Sequence, residues 1–422
     1  MGKSLCILGR QPALGLAELE SLYGAEHIKP LTGAALLDIP AEQINFRQLG
    51  GTIKVAQVLA VLPDHDWKKL VEYLIDKIPE HLTSAPEGKF TLGLSVYGLK
   101  VSPAEINRAG LQIKKVVSQS GRPARVVPNK TPALSSAQVL HNKLIHKGGW
   151  ELIFIPDGDK VILAQSLFVQ DIEAYAARDQ VRPARDARVG MLPPKLAQII
   201  INLAAGRPET RMDEHWDKGD GLGRFMVLDP FCGTGVILQE ALLMGYSVYG
   251  TDIEPRLVEY SKKNLQWLVE QNPKLEGKTA LEVADATTYR WPGFSTIASE
   301  LYLGRPLAKL PESPKLREII SDVNTITSKF LKNLAPQLKA EQQICLAVPA
   351  WREPNGELVK LPLIDPVESA SLAHKGRAFH RIDRLTDMGY TYSDLKHVRR
   401  DDLVYFRENQ VVARQLLRLR KV

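Results

Sequence analysis

The stretch FMVLDPFCGTGVILQEALLMGYSVYGTD (residues 225–252) decides the fold of this chain. It opens with a short apolar run that ends in an acid and continues through a glycine-containing turn into an apolar helical segment. A second apolar run then ends in another acid. A strand, a glycine turn and a helix in this order begin an open α/β sheet with a ligand at the carboxyl edge of its strands. The pattern therefore predicts an α/β domain in this half of the chain.

Acidic residues end three successive predicted strands of this sheet, at Asp229, Asp252 and Asp285. The second acid is placed to accept both hydroxyls of a ribose, and the third is placed to accept from an adenine amine. Gly233 and Gly235 let the backbone approach a ligand closely. An acid at a strand end also caps the helix that follows, but the ordered trio with two glycines favours an adenosine-containing ligand.

The turn DPFCGTG distinguishes between adenosine ligands. It lacks the third glycine of a nicotinamide fingerprint, and the chain has no GxxxxGK[ST] motif of nucleotide triphosphatases. DPFCGTG resembles the first motif of S-adenosylmethionine-dependent amino methyltransferases, so the resemblance implies S-adenosyl-L-methionine as cofactor. We assign the cofactor contacts to Asp229, Phe231, Gly233, Gly235, Asp252, Ile253, Asp285 and Ala286.

Composition predicts a multidomain globular protein, because 422 residues exceed the roughly 100–200 of a single domain. The net charge of +7 favours a polyanionic partner, although charge alone does not exclude a mildly basic protein without one. No apolar run reaches the roughly 20 residues of a membrane helix, and no signal peptide is expected. Three widely spaced cysteines predict reduced thiols and a cytoplasmic location. The histidines show no ligand spacing, so no metal site is expected.

The first half of the chain shows strand and helix patterns that alternate, which predicts α/β domains there. Residues 79–88 interrupt the pattern. Ser102, Pro103 and Glu105 are then typical of a helix start. We predict an N-terminal domain at 1–85, a second domain at 86–175 and the catalytic domain at 176–422, with a junction at 176–210. The middle section is basic, which indicates either nucleic-acid binding or a solvated helix face.

The resemblance to one family extends over nearly the whole chain. LGRQPALGLAELESL (8–22), LSSAQVLHNKL (134–144) and RDQVRPARD (178–186), followed by the methylase half, resemble the tRNA guanosine-10 methyltransferase family. The resemblance implies a ferredoxin-like domain, a THUMP-like RNA-binding domain and a Rossmann-like class I methyltransferase sheet. It also implies tRNA or another structured RNA as partner. The basic and amide residues predicted to bind RNA are Lys114, Lys115, Arg122, Lys130, Asn142, Lys143 and Arg182.

The fourth motif departs from this family. Asp-Pro-Pro-Tyr is expected there, but the predicted fourth strand, Phe294 to Ala298, is followed by SELYLG (299–304). We assign Glu300 as the acceptor for the amine of the target base and Tyr302 as the ring that stacks on a base taken out of its helix. The resemblance implies the exocyclic amine of a guanosine as the target. Because no cysteine is placed as a nucleophile, transfer to nitrogen without a covalent intermediate is predicted.

Two other functions stay open, a DNA amino methyltransferase and a non-catalytic RNA-binding relative. The need for a protein partner subunit also stays open. At the end of the chain, 402–407 and 411–417 are typical of an antiparallel hairpin, and the basic tail 418–422 is expected to be solvated.

Overall fold

The computed structural model describes residues 2–82, 88–186, 191–207, 225–364, 384–408 and 410–422. The chain forms two compact units. The first unit contains Met1–Pro12, Glu26–Arg47 and Gly51–Ala176. The second unit contains Ala13–Ala25, Gln48–Gly50 and Ala177–Val422.

The first unit is built on an eight-stranded sheet. Its strands are β1 (Ser4–Leu8), β2 (Ile28–Leu31), β3 (Ala34–Leu37), β4 (Thr52–Leu62), β5 (Phe90–Val96), β6 (Ala124–Val126), β7 (Gly149–Asp157) and β8 (Lys160–Val169). They lie in the order β2-β3-β1-β4-β8-β7-β5-β6. β5 runs parallel to β6 and β7, and the other neighbours are antiparallel. Because β4 pairs with β8, the strands of the two predicted domains 1–85 and 86–175 share one sheet.

Five helices accompany these strands along the chain. They are α1 (Pro12–Tyr23), α2 (Trp67–Leu82), α3 (Pro103–Gln119), α4 (Ser136–His141) and α5 (Ile172–Ala176). α3 begins at the predicted residue: Ser102 Oγ accepts from the Glu105 amide, and the Glu105 side chain accepts from the Ser102 amide. With Pro103 at the first helical position, this capping box satisfies amides that a helix start leaves without partners.

The second unit holds a nine-stranded sheet. Its strands are β9 (Met226–Asp229), β10 (Ser247–Asp252), β11 (Thr279–Val283), β12 (Thr296–Glu300), β13 (Gln343–Arg352), β14 (Leu358–Val359), β15 (Tyr390–Tyr392), β16 (Val404–Tyr405) and β17 (Val412–Lys421). The main order is β11-β10-β9-β12-β13-β17-β15, with β14 beside β13 and β16 beside β17. β11, β10, β9, β12 and β13 are parallel, and β17 is antiparallel to β13. This arrangement confirms the Rossmann-like class I methyltransferase sheet. Its strand order reverses at β9, where α/β sheets bind ligands.

Helices α6 (Pro194–Ala205), α7 (Val236–Leu243), α8 (Pro255–Gln271) and α9 (Ser313–Leu334) complete the second unit. Residues from near the start of the chain contribute to the same unit. Glu18 of α1 is fully buried and accepts from Asn202 Nδ2 of α6 at 2.8 Å and from the Gly50 amide at 2.9 Å. A buried carboxylate needs such donors, so these bonds tie α1 to α6 and to Gly50 within the second unit.

Two expectations about this sheet were wrong. β12 does not end at Ala298 but continues to Glu300, because Glu300 still pairs with Ala347 of β13. The tail 418–422 is only partly in solvent: β17 runs to Lys421, and the half-buried Arg418 donates to the backbone oxygen of Ser393 at 2.9 Å, whereas Arg420 and Val422 are exposed. Among the described residues, no helix is both long enough and apolar enough to cross a membrane.

Candidate active site

The glycine turn after β9 has a backbone that only glycine adopts easily. Gly233 has a φ of 52° and Gly235 a φ of 83°, both in the left-handed region. The Gly233 amide donates to Asp252 Oδ2 at 2.9 Å, which joins the turn to the end of β10. A Cβ on Gly235 would lie 2.9 Å from Ser261 Oγ of α8, so this glycine permits close packing at the start of α7.

A cavity of about 600 Å³ lies at the carboxyl ends of β9, β10 and β12, and its volume suits a small organic ligand. Of the eight predicted cofactor contacts, Asp229, Phe231, Gly233, Asp252, Ile253, Asp285 and Ala286 line it. Glu300 and Tyr302 line it as well, so the structure brings the cofactor residues and the fourth motif together. Gly235 is not part of the lining and shapes the turn instead.

Several lining residues were missed by the sequence prediction, among them Leu192, Glu254, Arg305, Ile326 and Lys329. They lie before α6, after β10, after β12 and on α9. None belongs to a motif, so only the three-dimensional arrangement identifies them.

Asp229 is a buried carboxyl at the floor of this site. It is 2% exposed, and it accepts from Ser299 Oγ at 2.6 Å and from the Phe231 amide at 3.3 Å. Burial raises the pKa of Asp229 from 3.8 to about 7, against the lowering effect of these two hydrogen bonds. The side chain therefore ties β9 to β12 and carries a proton more readily than an exposed aspartate.

Asp252 and Asp285 both act as local caps, as their position at strand ends allows. Asp252 accepts from the amides of Gly233 and Glu254 with separate oxygens, and burial raises its pKa. Asp285 uses Oδ1 for the Thr287 amide at 2.8 Å and hydroxyl at 2.7 Å. Because a carboxylate has about four acceptor positions, both residues keep acceptors for a ligand in the cavity.

An exposed isoleucine stands between these two acids in the cavity wall. Ile253 is 62% exposed, which is unusual for a large apolar side chain next to a buried strand. Phe231 adds a second apolar side chain to the lining, and its ring packs edge-on against Phe330 at 5.1 Å between centroids. The cavity thus offers apolar surface for a planar ring together with acceptors for its polar edge.

At the fourth motif, Glu300 forms a buried ion pair with a residue of the last strand. Arg414 Nε donates to Glu300 Oε1 at 2.5 Å, and the two side chains are 5% and 14% exposed. Burial raises the pKa of Glu300, and Arg414 opposes that rise. Tyr302, two residues further on, is 41% exposed in the same cavity and is free to present its ring face.

The residues predicted to contact RNA differ in exposure. Lys114 and Lys115 on α3, Lys130, and Lys143 are exposed. Two of the other three residues, Asn142 and Arg122, use their polar groups within the protein. Asn142 caps α4 by donating to the Gln138 oxygen, and Arg122 donates to the backbone oxygens of Leu82 and Gly88.

Arg182 does not lie on the surface as its assignment requires. It is 3% exposed, and its three guanidinium nitrogens have no hydrogen-bond partner in the described part of the chain. Burial lowers its pKa. In this position Arg182 offers no guanidinium to an RNA phosphate.

Within the described ranges, no cluster of three or more His, Cys, Asp or Glu side chains is arranged for a metal ion. The three cysteines are buried, and none of them forms a disulfide bond in the described part of the chain. Burial raises the pKa of the Cys345 thiol to about 12 and that of Cys232 well above its usual value, so neither thiol is a ready nucleophile.

The sheet order, the glycine turn and the acids at its strand ends together define a Rossmann-like class I methyltransferase fold. No protein-family model matches the chain. It is 38% identical over 110 residues to the tRNA (guanine(10)-N2)-dimethyltransferase of Methanothermobacter thermautotrophicus, a match covering 26% of this chain and 27% of that protein. It is 34% identical over 113 residues to the enzyme of the same name from Pyrococcus abyssi, with 26% and 27% covered.

These matches span only about a quarter of the length of the curated relatives. Among solved structures, TrmN from Thermus thermophilus is similar over 100% of both chains, with 17% identity and a TM-score of 0.49.

Proposed function

We propose that this chain is an S-adenosylmethionine-dependent methyltransferase that modifies the exocyclic amine of a guanosine in tRNA, in the cytoplasm. One observation carries the proposal: the cavity at the carboxyl edge of the sheet unites the glycine turn, the acidic strand ends, Glu300 and Tyr302. The names of the partial relatives support tRNA guanine as the target.

The cavity residues fit S-adenosyl-L-methionine. Ile253 gives an exposed apolar surface for the adenine ring, Asp285 Oδ2 accepts no hydrogen bond from the described residues, and Asp252 faces the position of a ribose. The start of α7 presents backbone amides to a carboxylate. When bound, the cofactor supplies an electrophilic methyl group.

The chain's own contribution is to hold and orient the amine. Glu300 accepts a hydrogen bond from the amine and so directs the nitrogen lone pair toward the methyl carbon. Transfer of the methyl group from the sulfur of a bound cofactor to this nitrogen would release one amine proton to a base or to water. Tyr302 stacks on the target base. Because the thiols of Cys232 and Cys345 resist ionisation, direct transfer needs no covalent intermediate on the protein.

We assign RNA binding to the exposed lysines of the first unit, Lys114, Lys115, Lys130 and Lys143. Lysines attract phosphates without sequence preference, so binding by these residues would weaken as salt increases. Asn142 contributes by capping α4 next to Lys143, whereas the guanidinium of Arg122 is held by the backbone oxygens of Leu82 and Gly88.

Transfer of a tritiated methyl group tests the proposal. Purified protein is incubated with labelled S-adenosyl-L-methionine and either bulk tRNA or duplex DNA, and the labelled nucleoside is then identified. Label in guanosine of tRNA supports the proposal. Label in DNA alone would indicate a DNA amino methyltransferase. Cofactor binding without label in either would indicate a non-catalytic relative. Glu300→Ala with unchanged methylation would remove Glu300 from the reaction.

A further inference from the structure

The ion pair between Glu300 and Arg414 is unusual for its place in the fold. Arg414 lies on β17, in register with Pro349 of β13, and both charged side chains are nearly buried. Burying two charges is costly, and well-packed apolar residues often stabilise a protein equally well. Stability alone therefore does not explain a charged pair at this position. The position of the pair at the edge of the ligand cavity indicates a functional reason for it.

The pair leaves part of the glutamate available. Arg414 bonds Oε1 only, and Oε2 accepts no hydrogen bond from the described residues. Glu300 also lines the cavity beside Tyr302. An ionised carboxylate accepts hydrogen bonds and donates none. The Glu300 carboxylate therefore presents only hydrogen-bond acceptors to a base at this position.

Bases differ in what they present to such an edge. Guanine offers two neighbouring donors, the N1–H and the N2 amine. Adenine and cytosine each offer one amine donor beside a ring nitrogen that is itself an acceptor. A carboxylate can pair with both guanine donors, but it places one oxygen against the lone pair of the adenine or cytosine ring nitrogen. Leaving a buried polar group without its partner is strongly unfavourable, so the mismatch discriminates between bases.

We propose that Glu300, held by Arg414, reads the donor–donor edge of guanine and thereby sets the base specificity of the enzyme. The inference rests on the proposed function and names the substrate class of the same site. Arg414 is a positioning residue in this arrangement, since it acts through Glu300 and has no assigned contact with the base.

Arg414 also bears on the charge of Glu300. The charged groups that contact Glu300 or line its cavity are Arg414 from β17, Asp229 from β9, Asp252 from β10, Asp285 after β11, Arg305 after β12, Glu254 before α8 and Lys329 from α9. Burial raises the pKa of Glu300 and Arg414 counteracts it. Without Arg414 the carboxyl holds its proton to higher pH, and a protonated carboxyl offers a donor that adenine accepts.

The main test replaces the two acceptor oxygens of the Glu300 carboxylate by the acceptor oxygen and the donor nitrogen of an amide. Two tRNA transcripts are compared that differ only in G or A at the nucleotide identified by the transfer assay. Glu300→Gln keeps the shape of the side chain, but its amide matches adenine better than guanine. We expect the guanosine-to-adenosine rate ratio to fall on the order of 100-fold. An unchanged ratio would overturn the inference.

The second test separates positioning from structure. We expect Arg414→Met to lower kcat on the guanosine transcript at neutral pH and to recover activity as pH rises, while Arg414→Lys retains more activity. Arg420→Met is the matched control, because Arg420 lies on the same strand in an exposed pair with Glu341. A loss in Arg414→Met that is equal at every pH, with a lowered thermal midpoint, would assign Arg414 a structural role and overturn the inference.

The outcomes for the unaltered protein also distinguish the two proposals. Methyl label in adenosine or cytidine of RNA would overturn the base-reading inference and leave RNA methyl transfer standing. Absence of label from RNA and DNA, with S-adenosyl-L-methionine still bound in equilibrium dialysis, would overturn the proposed function and the inference with it.

Discussion

Asp229→Asn removes a carboxyl group that the second unit buries at the end of β9. Both hydrogen bonds that Asp229 accepts, from Ser299 Oγ and from the Phe231 amide, reach the same oxygen, Oδ1. An asparagine oxygen can accept the same two bonds, so the substitution changes the charge with little change in shape. The variant therefore isolates the energetic effect of ionising this buried group.

Proton linkage gives the sign of the effect. Burial raises the pKa of Asp229 from 3.8 to about 7, so the folded state binds the proton more tightly than the unfolded state. Protonation of Asp229 therefore contributes to the free energy of unfolding of the wild-type protein. This contribution is complete below pH 3.8 and is lost as the pH rises through 7. The loss corresponds to about 4 kcal/mol in total and to about 2.5 kcal/mol between pH 5 and pH 8. Asparagine does not titrate, so the variant lacks this loss.

Thermal unfolding of the cofactor-free protein at a series of pH values measures the difference. Because the chain has two compact units, the midpoint of the transition of the second unit is a better readout than one unfolding free energy. We expect the midpoint of Asp229→Asn, relative to wild type, to rise by about 5–10 °C between pH 5 and pH 8. A difference that stays constant or falls over this range would refute the burial argument.

Three further predictions test other parts of the chain. Gly235→Ala places a Cβ against Ser261 at a φ of 83°, and we expect cofactor binding at least ~10-fold weaker by calorimetry; unchanged binding would contradict the packing. Ile253→Ser is expected to weaken S-adenosyl-L-methionine binding about 10-fold with no fall in thermal midpoint, whereas a lower midpoint with equal affinity would indicate a packing role only. Lys54→Met leaves the fully buried Glu151 without its cation, and we expect the first unit to lose about 3–5 kcal/mol of stability; an equal denaturation midpoint would refute this.

The parts of the fold that the sequence predicts well are those determined by local interactions. The start of α3 is an example, because the helix begins at the predicted capping residue Ser102. The glycine turn and its neighbouring acids are also determined by residues close in sequence, because each acid lies at the end of its own strand or directly after it. For this reason a prediction made without the tertiary structure identified eight residues, of which seven line the cavity.

Features that depend on distant pairing could not be predicted in the same way. Glu300 and Arg414 are 114 residues apart, and nothing near either residue indicates the other. The basic residues of 418–422 were expected in solvent, because a run of charge carries no sign of the strand position that places Arg418 against Ser393. Arg182 was likewise assigned to the surface from its residue type, although the structure buries it.

The end of β12 shows which contacts hold the segment that carries the altered fourth motif. Counting back from Tyr302 in the aromatic position of Asp-Pro-Pro-Tyr, Ser299 stands at the aspartate position and Glu300 and Leu301 at the two proline positions, so the acid of this chain comes one residue later. The Leu301 amide donates to the Ala347 oxygen at 2.9 Å, a bond that a proline has no N–H to make. Pairing with β13 therefore continues one residue past the strand, and Arg414 anchors the Glu300 side chain from the other neighbour of β13. Backbone pairing and a buried ion pair thus restrain the segment in which the Asp-Pro-Pro-Tyr motif would have two proline rings.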